Sequence, residues 1–154
     1  MADGLFGRIR LGSVLLLAAF VAAGCDSDPT EPGDPPAEFA GEFAPAEGFE
    51  EVFGSAIIVV GESAFSVGVA IQEAPDPGEG GHPWTLSEGS CETPGDLVFD
   101  WDELPSIEPD EDGLWEESGL SGDLGDRSAL VLEVRHSTDE PGTVIACATL
   151  EEDA

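Results

Sequence analysis

The hydrophobic pattern over the C-terminal two-thirds of the chain is that of short β-strands. Residues 65–72 alternate between apolar and small or polar side chains, and residues 56–60 form a continuous apolar run. The two-residue period returns at residues 97–101 and 130–134, and residues 143–150 again favour β-structure. A period of two indicates a strand with one buried face, whereas no segment carries the 3.6-residue stripe of an amphipathic helix. The pattern therefore predicts an all-β domain.

Turn-forming residues separate these runs. Gly61, Glu62 and Ser63 suit a hairpin turn between the first two predicted strands. Residues 105–127, rich in Pro, Gly and acids, predict a long acidic loop interrupted by a weak strand around residues 114–120. Several short strands joined by Pro- and Gly-rich links are typical of a β-sandwich or a Greek-key barrel.

The N-terminal residues carry the three parts of an export signal. Arg8 and Arg10 precede an apolar run, residues 11–23, which ends in small residues immediately before Cys25. At 13 residues the run is too short to span a bilayer, which takes roughly 20. Residues 21–25, Val-Ala-Ala-Gly-Cys, resemble the bacterial lipobox.

The lipobox resemblance implies that the thiol of Cys25 receives a diacylglycerol and that this cysteine becomes the first residue of the mature chain. Residues 1–24 are then a signal peptide. The same resemblance implies that fatty acyl chains anchor the protein in a bacterial membrane of the cell envelope, with its domain in the periplasm or at the cell surface. The alternative is an ordinary secretory signal with a cysteine near its cleavage site.

Residues 25–48, rich in Pro, Gly and acids, predict an extended, partly disordered tether, which leaves residues 49–154 for the domain.

Charge narrows the range of partners. The chain has 34 acidic residues against four arginines, and it has no lysine. The predicted signal peptide holds one of those acids and two of those arginines, so the mature chain has a formal charge near −31. Such a surface repels nucleic acids and anionic headgroups, which excludes nucleic-acid binding as a function class. The excess of acids suits either a salty medium or solubility alone.

Of the three cysteines, one falls in the predicted lipobox and the other two are available to pair with each other. With Cys25 assigned to the lipid, Cys91 and Cys147 remain as an even pair in an exported chain, where a disulfide is favoured over two free thiols. Such a bridge closes a loop of about 57 residues and is worth roughly 4 kcal/mol on the chain-entropy description.

Two segments resemble one family of exported domains. Residues 82–91, HPWTLSEGSC, are similar to the HPAHIHEGTC-type segment of bacterial lipoproteins in the copper–zinc superoxide dismutase-like and CHRD group. Residues 134–147, VRHSTDEPGTVIAC, resemble the closing segment of the same group, of the form VHKSADDLGTVVAC. Both segments end on the cysteines that this family joins by a disulfide. The resemblance covers roughly residues 49–150 and implies an eight-stranded Greek-key β-sandwich.

The metal ligands implied by that resemblance are replaced in this chain. Thr85 and Ser87 stand where the family has a His-x-His pair, and Arg135 stands where it has the histidine of the closing strand. Copper redox chemistry needs several imidazole nitrogens. Hydroxyls do not replace them, and a guanidinium is a fixed cation that repels a metal. The mature chain has only His82 and His136, so we expect no metal centre, no cofactor and no catalytic residue.

Period-two alternation places Thr85, Ser87 and Arg135 on the polar side of their strands. We expect a solvated sheet face there, with Arg135 paired to an acid such as Glu88 or Asp139. The alternative is a small site for an anion or for sugar hydroxyls, organised by the guanidinium.

Two sets of residues include the side-chain types that a metal site or a nucleophilic triad needs. His82 and His136 suggest a two-histidine metal site, against the simpler interpretation of exposed, functionally silent imidazoles. Ser87, His82 and Asp139 supply the members of a nucleophilic triad, but the chain has no G-x-S-x-G elbow to present the serine.

Acidic loops and tryptophans offer two further binding chemistries. Residues 100–103 and 108–113 suit weak calcium binding through carboxylates, but neither has the order of an EF-hand loop. Trp84, Trp101 and Trp115 suggest a platform on which sugars stack. The first two occupy core-facing positions of their predicted strands, which favours packing instead.

Together these features predict a membrane-anchored bacterial lipoprotein with a degenerate superoxide dismutase-like β-sandwich. We expect it to act as a non-catalytic binding or structural domain of the envelope, with the lipid bilayer and an unidentified envelope or extracellular partner as its contacts. The alternatives are a metal-binding protein with residual superoxide dismutase-type activity and a calcium-stabilised adhesion module.

Overall fold

Eight β-strands account for most of the described part of the chain. The computed structural model describes residues 36–124 and 127–152. Within these ranges no residue is helical, so no helix there is long and apolar enough to cross a membrane. The predicted all-β class is confirmed. The strands are β1 (Ala37–Pro45), β2 (Phe53–Val60), β3 (Ala64–Gln72), β4 (Trp84–Ser90), β5 (Thr93–Phe99), β6 (Leu114–Ser121), β7 (Ala129–Arg135) and β8 (Val144–Glu152).

All eight strands belong to one antiparallel sheet in the order β5-β4-β7-β8-β1-β2-β3-β6. Hairpins join β1 to β2, β2 to β3, β4 to β5 and β7 to β8. The predicted turn after β2 is present, because the amide of Gly61 donates to the carbonyl of Ala64 at 2.8 Å. The chain crosses from one half of the sheet to the other after β3, β5 and β6, and such crossovers are those of a Greek key.

The sheet curls so that its two ends face each other across a common core. Trp84 on β4 meets Trp115 on β6 edge to face, with ring centroids 6.1 Å apart. Phe65 on β3 and Phe99 on β5 lie 5.4 Å apart. A curled eight-stranded sheet of this kind is the β-sandwich or barrel-like fold that the hydrophobic pattern predicts.

Alternate residues of the strands fill the core. Phe65, Val67, Val69 and Ile71 of β3 are all buried, as their period-two spacing predicts. On the opposite half, β7 and β8 contribute the inward-facing side chains of Leu130, Leu132, Val134, Ala146, Ala148 and Leu150. Both halves of the sheet therefore bury one face against the other.

The first strand begins at Ala37, before the predicted start of the domain at residue 49. Residues 37–45 fall within the predicted tether, yet they form β1, which pairs with β2 on one side and β8 on the other. Phe39 and Phe43 are buried in the core. The prediction of a tether over residues 25–48 is therefore wrong for this strand, because two buried phenylalanines and backbone pairing on both sides place it in the sheet.

The strand predicted at residues 97–101 also ends differently. β5 stops at Phe99, and Trp101 lies half-buried in the turn that follows. Leu97 is 53% exposed because a shift in register pairs it with Ser87 on the outer side of β4, whereas Phe99 pairs with the core residue Leu86. The core-facing prediction is thus correct for Trp84, which is fully buried, and wrong for Trp101.

Candidate functional site

The outer face of β4 is closed, although it carries hydroxyl side chains. Thr85 and Ser87 alternate with the core residues Trp84 and Leu86, as predicted, but their exposed fractions are only 1% and 6%. Their neighbour on β7, Val131, is fully buried as well. The expectation of a solvated sheet face is therefore wrong for these two positions.

Arg135 closes part of this face. Its Nη2 donates to Glu133 Oε2 at 3.0 Å and to Thr85 Oγ1 at 3.4 Å, while Nη1 donates to the carbonyl of Pro141 at 2.6 Å. The Thr85 hydroxyl lies 3.3 Å from the same Glu133 oxygen and donates to it. We call these three side chains, Thr85, Glu133 and Arg135, the polar cluster.

The polar cluster arises from strand register. Thr85 on β4 lies directly opposite Glu133 on β7. Arg135 follows Glu133 by two residues on the same strand, so both side chains point to the same side. The loop after β7 returns Pro141 to within reach of the guanidinium. Strand β4, strand β7 and the loop after β7 thus each supply a hydrogen-bond acceptor to the guanidinium of Arg135.

The acid that neutralises Arg135 is not one of the two expected. Glu133 pairs with it, whereas Glu88 pairs with Arg127 at 2.9 Å. Asp139 lies exposed in the loop after β7. Since both arginines in the described part of the chain are matched by a carboxylate, Arg135 is not a free cation for an anion or a sugar.

The chemistry of the polar cluster is that of an internal ion pair. A guanidinium stays protonated and offers no lone pair to a metal. The Thr85 hydroxyl is engaged by Glu133, and no imidazole belongs to the cluster. These groups can hold β4, β7 and the following loop together.

His82 is buried rather than exposed. Its backbone amide and carbonyl both bond Ile107, and its ring Nδ1 lies 2.8 Å from the carbonyl of His136 and 3.0 Å from that of Arg135. Carbonyl oxygens only accept, so Nδ1 carries the proton. Burial lowers the pKa of His82 below its ordinary value, because desolvation disfavours the imidazolium, and the two carbonyls oppose this only in part.

This lowered pKa predicts a pH dependence of stability. Since the neutral ring is favoured in the folded state, its contribution is complete above the ordinary pKa of 6.5 and is lost as the pH falls through the lower folded value. Between about pH 7 and pH 5, the wild type should lose more unfolding free energy than His82→Asn. Urea denaturation at each pH measures this difference, in which the titration of the carboxylates cancels. Equal slopes for the two proteins would contradict the assignment.

His136 has a different environment. It is half-buried beside Phe49, with ring centroids 6.2 Å apart, and its Nδ1 lies 3.7 Å from Glu140 Oε2. Across residues 36–124 and 127–152, no group of three or more His, Cys, Asp or Glu side chains could hold a metal ion. Likewise, no hydrogen bond in these residues joins Ser87, His82 and Asp139 into a triad.

The disulfide joins the two predicted cysteines. Cys91 follows β4 and bonds Cys147 of β8, with Cα atoms 6.0 Å apart. The Cys91 amide also donates to Thr149 Oγ1 at 3.0 Å. Because β7 lies between β4 and β8, the bridge fastens the β4–β5 turn across an intervening strand. Cys25, the predicted lipidation site, lies outside the described residues.

The acidic loops use their carboxylates to shape turns. Asp110 Oδ1 accepts from the amides of Asp112 and Leu114, both at 2.9 Å. Asp100 Oδ1 accepts from the Trp101 amide, and Glu103 Oε2 accepts from the Asp100 amide. In the described chain these carboxylates do not converge on a calcium ligand set.

The tryptophans do not form an open platform. Trp84 is fully buried and donates from Nε1 to the carbonyl of Pro105 at 2.7 Å. Trp115 packs against it from β6. Only Trp101 lies apart, half-buried in its turn.

A surface that the hydrophobic pattern did not predict lies on the outer side of β1, β2, β3 and β6. A groove of about 820 Å³ runs over these strands, and a second hollow of about 470 Å³ continues it past Ile57 and Gly68. Ile57 is 37% exposed and Leu114 is 50% exposed. The available signal was the apolar run at residues 56–60, which places large side chains on both faces of β2.

Comparisons with protein-family models, with curated proteins and with solved structures found no match for this chain.

Proposed function

We propose that this protein is a lipid-anchored bacterial envelope protein whose β-domain acts as a non-catalytic binding or structural module. The acyl chains on Cys25 hold it in the membrane. The domain is of superoxide dismutase-like ancestry and works without a metal centre.

The observation that carries this proposal is the polar cluster. At the positions where the family resemblance implies histidine ligands, Arg135 is paired with Glu133 and hydrogen-bonded to Thr85. A fixed cation at that place opposes metal binding by electrostatic repulsion. The strand arrangement adds support, because an antiparallel eight-stranded sheet with Greek-key crossovers agrees with the fold that the resemblance implies.

Metal content tests the non-catalytic assignment. We expect the protein, isolated from membranes of cells grown with added copper and zinc, to carry far less than one metal ion per chain and to have no superoxide dismutase activity. Elemental analysis and a superoxide-consumption assay measure the two quantities. A near-stoichiometric metal that is lost in His82→Asn would overturn the proposal and favour a metalloprotein.

Lipidation is tested at Cys25 itself. The variant Cys25→Ser should lose the diacylglycerol completely, because the hydroxyl does not replace the thiol in the lipid transfer. Mass spectrometry of the N-terminal peptide measures the lipid, and fractionation shows whether the unlipidated chain is released from the membrane pellet. Cys91→Ser, which leaves the lipobox intact, should stay lipidated. An acylated Cys25→Ser chain would contradict the assignment.

A further inference from the structure

The outer face of β1, β2, β3 and β6 is less polar than a solvent-facing sheet requires. In antiparallel sheets with one solvated side, the outward positions are normally polar. Here the outward residues include Ala40, Ile57, Gly68, Ala70 and Leu114, in a chain with 34 acids. These apolar residues lie beside one another on adjacent strands, which makes this face a candidate interaction surface.

Gly68 lies on the floor of this face. This glycine sits in the interior of β3, between Ile57 on β2 and Glu116 on β6. A Cβ added there would lie only 3.0 Å from Cγ2 of Ile57, closer than such atoms normally pack, and 4.0 Å from Cγ of Glu116. A glycine inside a strand weakens it and often marks a place where another chain approaches closely. At Gly68 the close neighbour is the Ile57 side chain, which therefore forms part of the floor of the groove.

The rim of the groove is acidic. Glu42, Asp110 and Glu116 are exposed and line it, and none of the lining residues is basic. A second copy of this chain would bring the same carboxylates and a similar net charge to the interface, and like charges repel. Charge complementarity therefore selects a cationic occupant.

We propose that this face, the acidic-rimmed groove, binds an extended cationic segment of a partner protein. Apolar side chains of the segment lie between Ile57 and Leu114, and its Lys or Arg residues lie against Glu42 and Glu116. The inference deepens the proposed binding role and rests on it, but it involves neither Cys25 nor the polar cluster. Its failure is therefore distinct from a failure of lipidation or of the metal test.

A labelled octapeptide of alternating lysine and leucine serves as the probe, with a lysine–serine octapeptide of equal charge as its control. Fluorescence anisotropy measures binding to the full lipidated chain in phosphatidylcholine nanodiscs, with empty nanodiscs subtracted. We expect Ile57→Ser combined with Leu114→Ser to weaken lysine–leucine binding about tenfold, because two apolar side chains no longer become buried. The matched control is Leu97→Ser, on the edge strand β5, which should bind like the wild type.

A charge variant tests the rim without altering apolar packing. Glu42→Gln combined with Glu116→Gln should weaken the lysine–leucine peptide severalfold and reduce the salt dependence of its binding. Equal affinity of the wild type for the two peptides would overturn the proposal, as would unchanged binding in the serine variant. Analytical sedimentation gives a further test. If the wild type is a dimer and the serine variant is a monomer, a second copy covers the groove, and the proposal is overturned.

Discussion

Phe39→Ala is expected to reduce the free energy of unfolding by about 3–5 kcal/mol. Phe39 lies on β1, in the middle of the sheet between β8 and β2, and its side chain is 2% exposed. Truncation leaves a cavity in the core and removes buried apolar area, and both effects act in the same direction. Urea denaturation followed by tryptophan fluorescence measures the change.

The matched control for this variant is Ala40→Ser on the exposed side of the same strand. It changes one neighbouring position without touching the core and should cost less than about 0.5 kcal/mol. If residues 37–45 were tether, the two variants would have the same unfolding midpoint. Equal midpoints would therefore remove β1 from the domain and restore its boundary to residue 49.

Gly41 explains why the hydrophobic pattern did not predict β1. The inward positions of this strand are Phe39, Gly41 and Phe43, so the middle apolar residue of the expected alternation is missing. A Cβ at Gly41 would overlap the carbonyl oxygen of Thr149 on β8. Close approach of two backbones thus requires the glycine that makes the segment resemble a linker. Elsewhere, as on β3, no such approach interrupts the pattern, and alternation predicts both the strand and its buried face.

The candidate site was predictable in position but not in its surroundings. Alternation placed Thr85 and Arg135 on one face, which the structure confirms by their hydrogen bond. The partner Glu133 was overlooked, although its spacing of two residues from Arg135 puts both on the same side of β7. Arg135 is also held by the carbonyl of Pro141 in the loop after β7, and no local pattern specifies the path of that loop.

Reduction of the Cys91–Cys147 disulfide is expected to cost about 4 kcal/mol of unfolding free energy. The bridge joins residues 56 apart in sequence, and its removal frees that loop in the unfolded chain. Typical domains have only about 5–15 kcal/mol in total. From residue 37 onward the chain also carries the self-repulsion of 29 acidic residues, so the loss should leave the domain close to unfolding at low salt. Urea titrations with and without a reducing agent measure the difference.

The double variant Cys91→Ala and Cys147→Ala isolates the contribution of the bridge. It should be about as unstable as the reduced wild type and insensitive to the reducing agent. Cys25→Ser, by contrast, should keep the full sensitivity, because its remaining two cysteines are bonded to each other. A single Cys91→Ala chain should expose Cys147 to thiol reagents. If the wild type has the same stability in oxidising and reducing buffers, β4 and β8 are held by strand pairing through β7 alone, and the bridge does not stabilise the domain.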